Sequence, residues 1–326
     1  MVQPPEPSPS RWARRRAKRA EFEQFAHATA EDLRAQFEAT KAQLDATNEK
    51  IEARVGRNLV AAVSIGLVLG LIMLFSLIVV KEIFMIFAGV IIAFTALELA
   101  NALRFAGRNV PRIPTVLAAL ATVPAAFYLG ADGKWLCALA GIGVVIMWRL
   151  ALAIVPRNRV TSRALRADLA ASAMVQLYVP FLAGFAVLLT AQPGGEWWTL
   201  AFLITVISID TGAYASGLMF GKHKMAPRIS PKKTWEGFAG SAVVAVIAGI
   251  LLSVFMIDQP WWFGIIFGLT MVATGTTGDL TESLIKRDLG VKDISTWLPG
   301  HGGFLDRLDS MLPSAAAAYI LFQLFT

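Results

Sequence analysis

From Leu59 to Phe325 the chain is a succession of apolar stretches separated by short segments carrying Pro, Gly or charge. A helix needs ~20 mostly apolar residues to cross the hydrocarbon of a bilayer. Backbone in lipid must satisfy its own hydrogen bonds, which restricts spanning structures to helices and closed barrels. Nine stretches meet the helical requirement: 59–80, 83–103, 114–131, 135–155, 172–192, 197–219, 238–257, 261–279 and 311–325. The breaks between them include Lys81-Glu82, Asp132-Gly133-Lys134, Pro156 to Asp168 and Leu280 to Ser310. Composition agrees, since 16% of the 326 residues are charged and the mean hydropathy is +0.59, against ~25% charged in soluble domains. The expected fold is an all-α polytopic integral membrane protein with about nine transmembrane helices. An ordinary cytosolic enzyme, a disordered chain and a disulfide scaffold are excluded, and the lone Cys137 has no partner within the chain.

Lys and Arg orient the spans. Residues 1–58 hold 11 of the 30, and alternate loops carry Arg104, Arg108 and Arg112, then Arg157 to Arg166, then Lys222 to Lys233, then Lys286, Arg287 and Lys292. The opposite loops hold only Lys81 and Lys134. This asymmetry predicts a cytoplasmic N-terminus, an outside C-terminus and cytoplasmic long loops, in the inner (plasma) membrane. Trp135, Trp197, Trp198, Trp261 and Trp262 fall at the expected outer ends, as interfacial anchors. The net charge of +7 is thereby explained by topology and membrane lipid, without nucleic acid.

Three regions follow: a cytoplasmic segment 1–58, membrane helices over 59–204, and a region 205–326 in which the chemistry concentrates. Residues 1–10 are Pro-rich, and Arg11 to Arg19 hold six basic residues around Trp12. These read equally as a clamp on anionic lipid or as a solvated tail. From Glu21 to Arg57 the pattern is helical with a half-filled heptad at Ala30, Phe37, Leu44 and Ile51. That fits a helix lying on the membrane or the catalytic region better than a coiled coil between protomers, and leaves a homodimer open.

Charged groups at membrane depth are costly and point to function. Asp210 lies mid-span in Ser208-Ile-Asp-Thr-Gly-Ala-Tyr214 and needs a cation, donors or water. Glu98 lies near a cytoplasmic end, where it either snorkels or lines a site. Arg149, beside Trp148, reads as snorkelling to the interface. Two cytoplasmic segments carry the rest. Phe220 to Gly237 is a stiff basic loop containing Ile229-Ser-Pro-Lys-Lys-Thr-Trp-Glu236, suited to gripping phosphates. Gly278-Asp279 through Asp309 returns its carboxylates to one membrane level, with Asp306 and Asp309 on one helix face and Gly302-Gly303 ahead of them. Such hard oxygens suit Mg²⁺ shared with substrate phosphates, and the neighbouring cations suit phosphoryl charge. There is no Walker-type loop, and three His with one Cys argue against zinc.

The run Ser283, Lys286, Arg287, Lys292, Asp293, Pro299, His301, Gly302, Gly303, Asp306, Arg307 and Asp309 strongly resembles the signature of the phosphatidate cytidylyltransferases, also called CDP-diacylglycerol synthases. Asp210 to Tyr214 and Ile229 to Glu236 also resemble family segments. The resemblance is firm over 205–326 and weaker over 59–204. Leu218 stands where a basic residue is expected, and 1–58 looks like an extension of the usual core.

What the resemblance implies is a Mg²⁺-dependent reaction of CTP with phosphatidate, giving CDP-diacylglycerol and pyrophosphate at the cytoplasmic membrane interface. It makes Asp279 and Asp306 the metal ligands, with Asp210 and Asp309 beside them as further ligands or orienters, and allows a second, monovalent cation such as K⁺. The phosphates fall to Lys232, Lys233, Lys286, Arg287, Lys292 and Arg307. His301 holds a phosphate, a metal-bound water or the Gly-Gly turn, and Ser230, Thr234 and Glu236 order the basic loop. Two rivals stand beside this reading: a cation-coupled transporter lined by Asp210, Asp279 and Asp306, and a CTP-dependent lipid kinase.

Overall fold

The computed structural model describes residues 59–155, 160–291, 294, 295, 297 and 302–326, with side chains from 66 onward. The basic tail, the helix expected over Glu21 to Arg57, and the site residues Lys292 and His301 lie outside the described residues. In chain order the elements are α1 (Leu59–Val79), α2 (Lys81–Phe105), α3 (Arg112–Tyr128), α4 (Gly130–Ile154), α5 (Ser162–Ala191), α6 (Gly195–Phe220), β1 (Lys224–Ala226), β2 (Ser230–Thr234), α7 (Trp235–Phe255), α8 (Trp261–Asp288), α9 (Leu305–Leu308) and α10 (Met311–Phe325). Every expected apolar stretch falls on a helix. Among the described residues seven helical runs are long and apolar enough to cross a membrane, the last being Leu305–Phe325. Gly66–Val79 and α3 are shorter apolar helices.

Two cores share one wall. The first joins Ile92, Leu99 and Leu103 of α2 to Ala119 and Val123 of α3, Val175 and Leu188 of α5, and Leu305 and Leu312. The second joins Trp198, Phe202 and Val206 of α6 to Ala245 of α7, Phe263, Phe267 and Met271 of α8, and Ala315 and Phe322 of α10. Phe185 and Tyr319, with ring centroids 5.7 Å apart, touch both. Midway along α5 a π-helical turn spans Leu177–Phe181, where Pro180 lacks the N–H that an α-helix would use.

Four local readings change. The break expected at Asp132-Gly133-Lys134 lies inside the first turn of α4, because the chain turns earlier, at Gly130 with φ +68°. Lys134 is fully buried, with its Nζ 3.2 Å from the Phe185 ring centroid and 3.8 Å from that of Phe181. Arg149 does not snorkel. It is fully buried, and its Nε and Nη2 donate to Asp168 Oδ2 at 3.0 and 2.7 Å. Asp168, read as loop, stands on α5, which begins at Ser162 behind an N-cap from Thr161, and its Oδ1 accepts from Asn109 N at 2.9 Å. Trp198 is a core residue rather than an interfacial anchor, ringed edge-on by Phe263, Phe267 and Phe322.

The stretch ending at 279 continues as helix to Asp288. Its apolar character fades there while one face stays in contact with the core, which is how an amphipathic extension forms. The extension sets the geometry of the site.

Candidate active site

On α8, Asp279, Glu282, Ser283 and Lys286 recur at spacings of three and four and so share one helix face. All four line a cavity of about 600 Å³. The opposite wall is α6, which contributes Asp210, Tyr214 and Leu218. The hairpin closes one side with Ser230, Lys232 and Lys233, and the chain returns past α9 to add Asp306, Asp309 and Ser310. Four aspartates and three lysines separated widely in sequence therefore meet around one hollow.

Gly278 lets the returning chain close on α8: a Cβ there would overlap the carbonyl of Asp309 and press on Pro313, so only glycine lets α8 approach the start of α10 this closely. The Gly302-Gly303 pair is explained by two carboxylates. Gly302 has φ +83°, and an added Cβ would stand 2.6 Å from Asp306 Oδ2. A Cβ on Gly303 would overlap Glu98 Oε1. Glu98 itself is almost fully buried, accepts from the Ser295 hydroxyl through Oε1, and accepts from Leu305 N through Oε2 at 2.9 Å. It neither snorkels nor faces the cavity; it fixes the turn that presents Asp306.

Asp279, Glu282, Asp306 and Asp309 each have a defined counterpart. Lys233 Nζ lies 2.5 Å from Asp279 Oδ2. Lys286 Nζ bridges Asp306 Oδ1 at 3.0 Å and Glu282 Oε1 at 2.6 Å. Asp306 Oδ2 accepts from Gly303 N at 2.9 Å, and Asp309 Oδ1 from Ser310 N at 2.7 Å. Glu282, nearly fully buried, was not among the residues singled out from sequence, although its spacing from Asp279 and Lys286 was visible there.

The basic loop is a β-hairpin, with Lys224 opposite Thr234 and Ala226 opposite Ser230. Its exit is capped: Thr234 Oγ1 accepts from Gly237 N at 3.1 Å. Glu236 accepts from the backbone N–H groups of Lys222 and His223, at 3.1 Å for each closest approach, and meets His223 Nδ1 at 2.5 Å. These bonds order the loop as expected. Of the two arginine candidates, Arg287 donates through Nε to the Ile229 carbonyl at 3.2 Å, tying α8 to the hairpin turn, and the exposed Arg307 stands close enough to Asp210 for its charge to act on that carboxylate.

Among the described residues no three Asp, Glu, His or Cys side chains form a metal-holding cluster. The donor chemistry nonetheless fits Mg²⁺, which takes one or two carboxylates and fills its remaining positions with water and substrate phosphates. In this conformation the lysines are the counter-cations of Asp279 and Asp306.

Comparison with known proteins places this architecture. The model of the Cytidylyltransferase family matches residues 60–325. A phosphatidate cytidylyltransferase of Mycobacterium bovis is 39% identical over 281 residues, covering 83% of this chain and 90% of that protein. One from Mycobacterium leprae is 38% identical over 283 residues, covering 83% and 89%. One from Brucella suis is 40% identical over 150 residues, covering 44% and 56%. The match runs through every element that lines the cavity, and the chain belongs to the cytidylyltransferase family.

Proposed function

We propose that this chain transfers the cytidylyl group of CTP to phosphatidate, forming CDP-diacylglycerol and pyrophosphate. The observation that carries the reading is the cavity in which Asp210, Asp279, Asp306 and Asp309 stand among Lys232, Lys233 and Lys286. A phosphate oxygen of the lipid attacks the α-phosphorus of CTP, a new phosphorus–oxygen bond forms, and the bond to the bridging oxygen of the β-phosphate breaks. Little covalent help is needed; positioning and charge neutralisation supply most of the rate.

Lys233 and Lys286 are poised to exchange a carboxylate for a phosphate oxygen, a charge-assisted bond of similar strength. Lys232, exposed on the hairpin, meets phosphate from the aqueous side. Asp279 and Asp306, with Asp210 and Asp309 adjacent, would hold Mg²⁺, and a monovalent cation such as K⁺ would share the site. Bound there, the metal would supply neutralisation of the developing phosphoryl charge. Lys292 and His301 belong to the same signature and are proposed as catalytic partners on sequence grounds. Arg287 holds the hairpin against α8 through Nε, which leaves the rest of its guanidinium for a phosphate, and Arg307 is proposed as a further phosphate contact.

The charge pattern supports nine crossings, a cytoplasmic N-terminus and an inner-membrane location. Phosphatidate does not leave the bilayer cheaply and CTP is water-soluble, so the reaction belongs at the inner interface. Tyr214 and Leu218, each 74% exposed and lining the cavity from α6, offer the lipid an apolar approach.

The test uses purified protein with Mg²⁺, phosphatidate and CTP labelled at the α-phosphorus. Label entering the lipid phase is the result expected. Labelled CDP left in water indicates lipid kinase chemistry, and absence of turnover contradicts both enzymatic readings and leaves the transporter standing.

A further inference from the structure

A second hollow of about 700 Å³ lies where α2 hands over to α3, and its chemistry is opposite to that of the acidic cavity. Its walls include Arg104, Arg108 and Arg112 with Asn101, Asn109 and Trp297. Among the lining residues Glu98 is the one carboxylate, and both its oxygens are committed, to Ser295 and to Leu305 N. Arg104 is committed as well, through Nη1 to Asn109 Oδ1 at 2.8 Å and to the Val110 carbonyl at 3.1 Å. Those bonds fold the 106–111 connection into the rim of the hollow. Arg108 and Arg112 are exposed and make no side-chain hydrogen bond or ion pair with the described residues. Topology alone requires three cations in this loop, but neither a hollow of this size nor their convergence on it.

We propose that this hollow is a binding site for a phosphate group, separate from the cavity that holds the aspartates. Two guanidinium groups with open donors, beside amide side chains, suit a phosphate ester, whose extra oxygens and charge can engage both arginines where one carboxylate or a neutral sugar would not. The phosphate comes either from the headgroup of an anionic phospholipid or from a soluble phosphate. Phe105, 85% exposed at the rim, and Trp297 give a lipid an apolar margin. The inference does not rest on the cytidylyl-transfer reading, and its test reads binding rather than turnover.

The test compares the full-length wild-type chain with an R108Q/R112Q variant, purified in detergent and shown to match it in thermal unfolding. Native mass spectrometry follows retention of phosphatidylglycerol in one arm and of inorganic pyrophosphate in the other. Basic residues at an anionic surface contribute ~1 kcal/mol each, so losing two corresponds to roughly tenfold or more weaker retention. A loss confined to the phosphatidylglycerol arm supports a lipid headgroup as the source. A loss in the pyrophosphate arm supports a soluble phosphate. Equal retention by both proteins in both arms overturns the proposal.

Discussion

Glu98 Oε2 accepts a hydrogen bond from the backbone N–H of Leu305 at 2.9 Å, across 207 residues of chain. Its other oxygen occupies the space that a side chain on Gly303 would need. One buried carboxylate on α2 thus fixes the turn from which Asp306 enters the cavity, and it ties that turn to the first core, to which Leu305 also belongs.

This contact predicts a specific non-additivity. Glu98→Ala leaves the buried Leu305 N–H without an acceptor, a loss of about 1–3 kcal/mol. It is expected to lower kcat at least tenfold while the protein still folds. Gly303→Ala alone is expected to be as damaging, because the new methyl meets Glu98. Combining the two removes the clash, so the double variant should be no worse than Glu98→Ala. Steady-state kinetics on all three variants check this; fully additive losses would contradict it.

The Arg149–Asp168 pair ties α4 to α5 in a dry environment, and Asp168 also accepts from Asn109 N. Removing one partner strands a buried charge, at a cost of about 3–5 kcal/mol. Asp168→Ala is therefore expected to lower the thermal unfolding temperature in detergent sharply. Replacing both residues with apolar ones of similar volume should recover much of the loss.

Lys134 is buried against Phe181 and Phe185, with no carboxylate or carbonyl partner for its Nζ among the described residues. A desolvated cation–π contact contributes about 2 kcal/mol, less than the several kcal/mol that burying an ammonium costs. Lys134→Met keeps the volume and removes the charge. We expect an unchanged or higher unfolding temperature with turnover retained; a marked loss of stability would show that the ammonium has a partner.

Much of this was legible in the sequence because lipid imposes a long, simple signal. Every apolar stretch from 59–80 to 311–325 falls on a helix, and Lys286, Asp306 and Asp309 of the signature line one cavity together with Asp210 and Asp279. What escaped were pairings over long sequence distances. Arg149 looked like a snorkelling cation since its partner Asp168 sat in a stretch too polar to read as helix. Glu98 was ambiguous because nothing local distinguishes a carboxylate that caps a distant turn from one that faces water. The hairpin was hidden by Pro227 and Pro231, which mask the alternation of a strand, and Trp198 by its place at the end of an apolar run.

Cytidylyl transfer at this cavity depends most directly on Asp279 and Asp306. Turnover of labelled CTP and phosphatidate by Asp279→Ala and Asp306→Ala, each shown to unfold at the wild-type temperature or above, tests it. The result predicted is loss of label transfer to lipid by at least a hundredfold in both variants. Near-normal transfer by either one would contradict the assignment of that aspartate and of the metal it is proposed to hold.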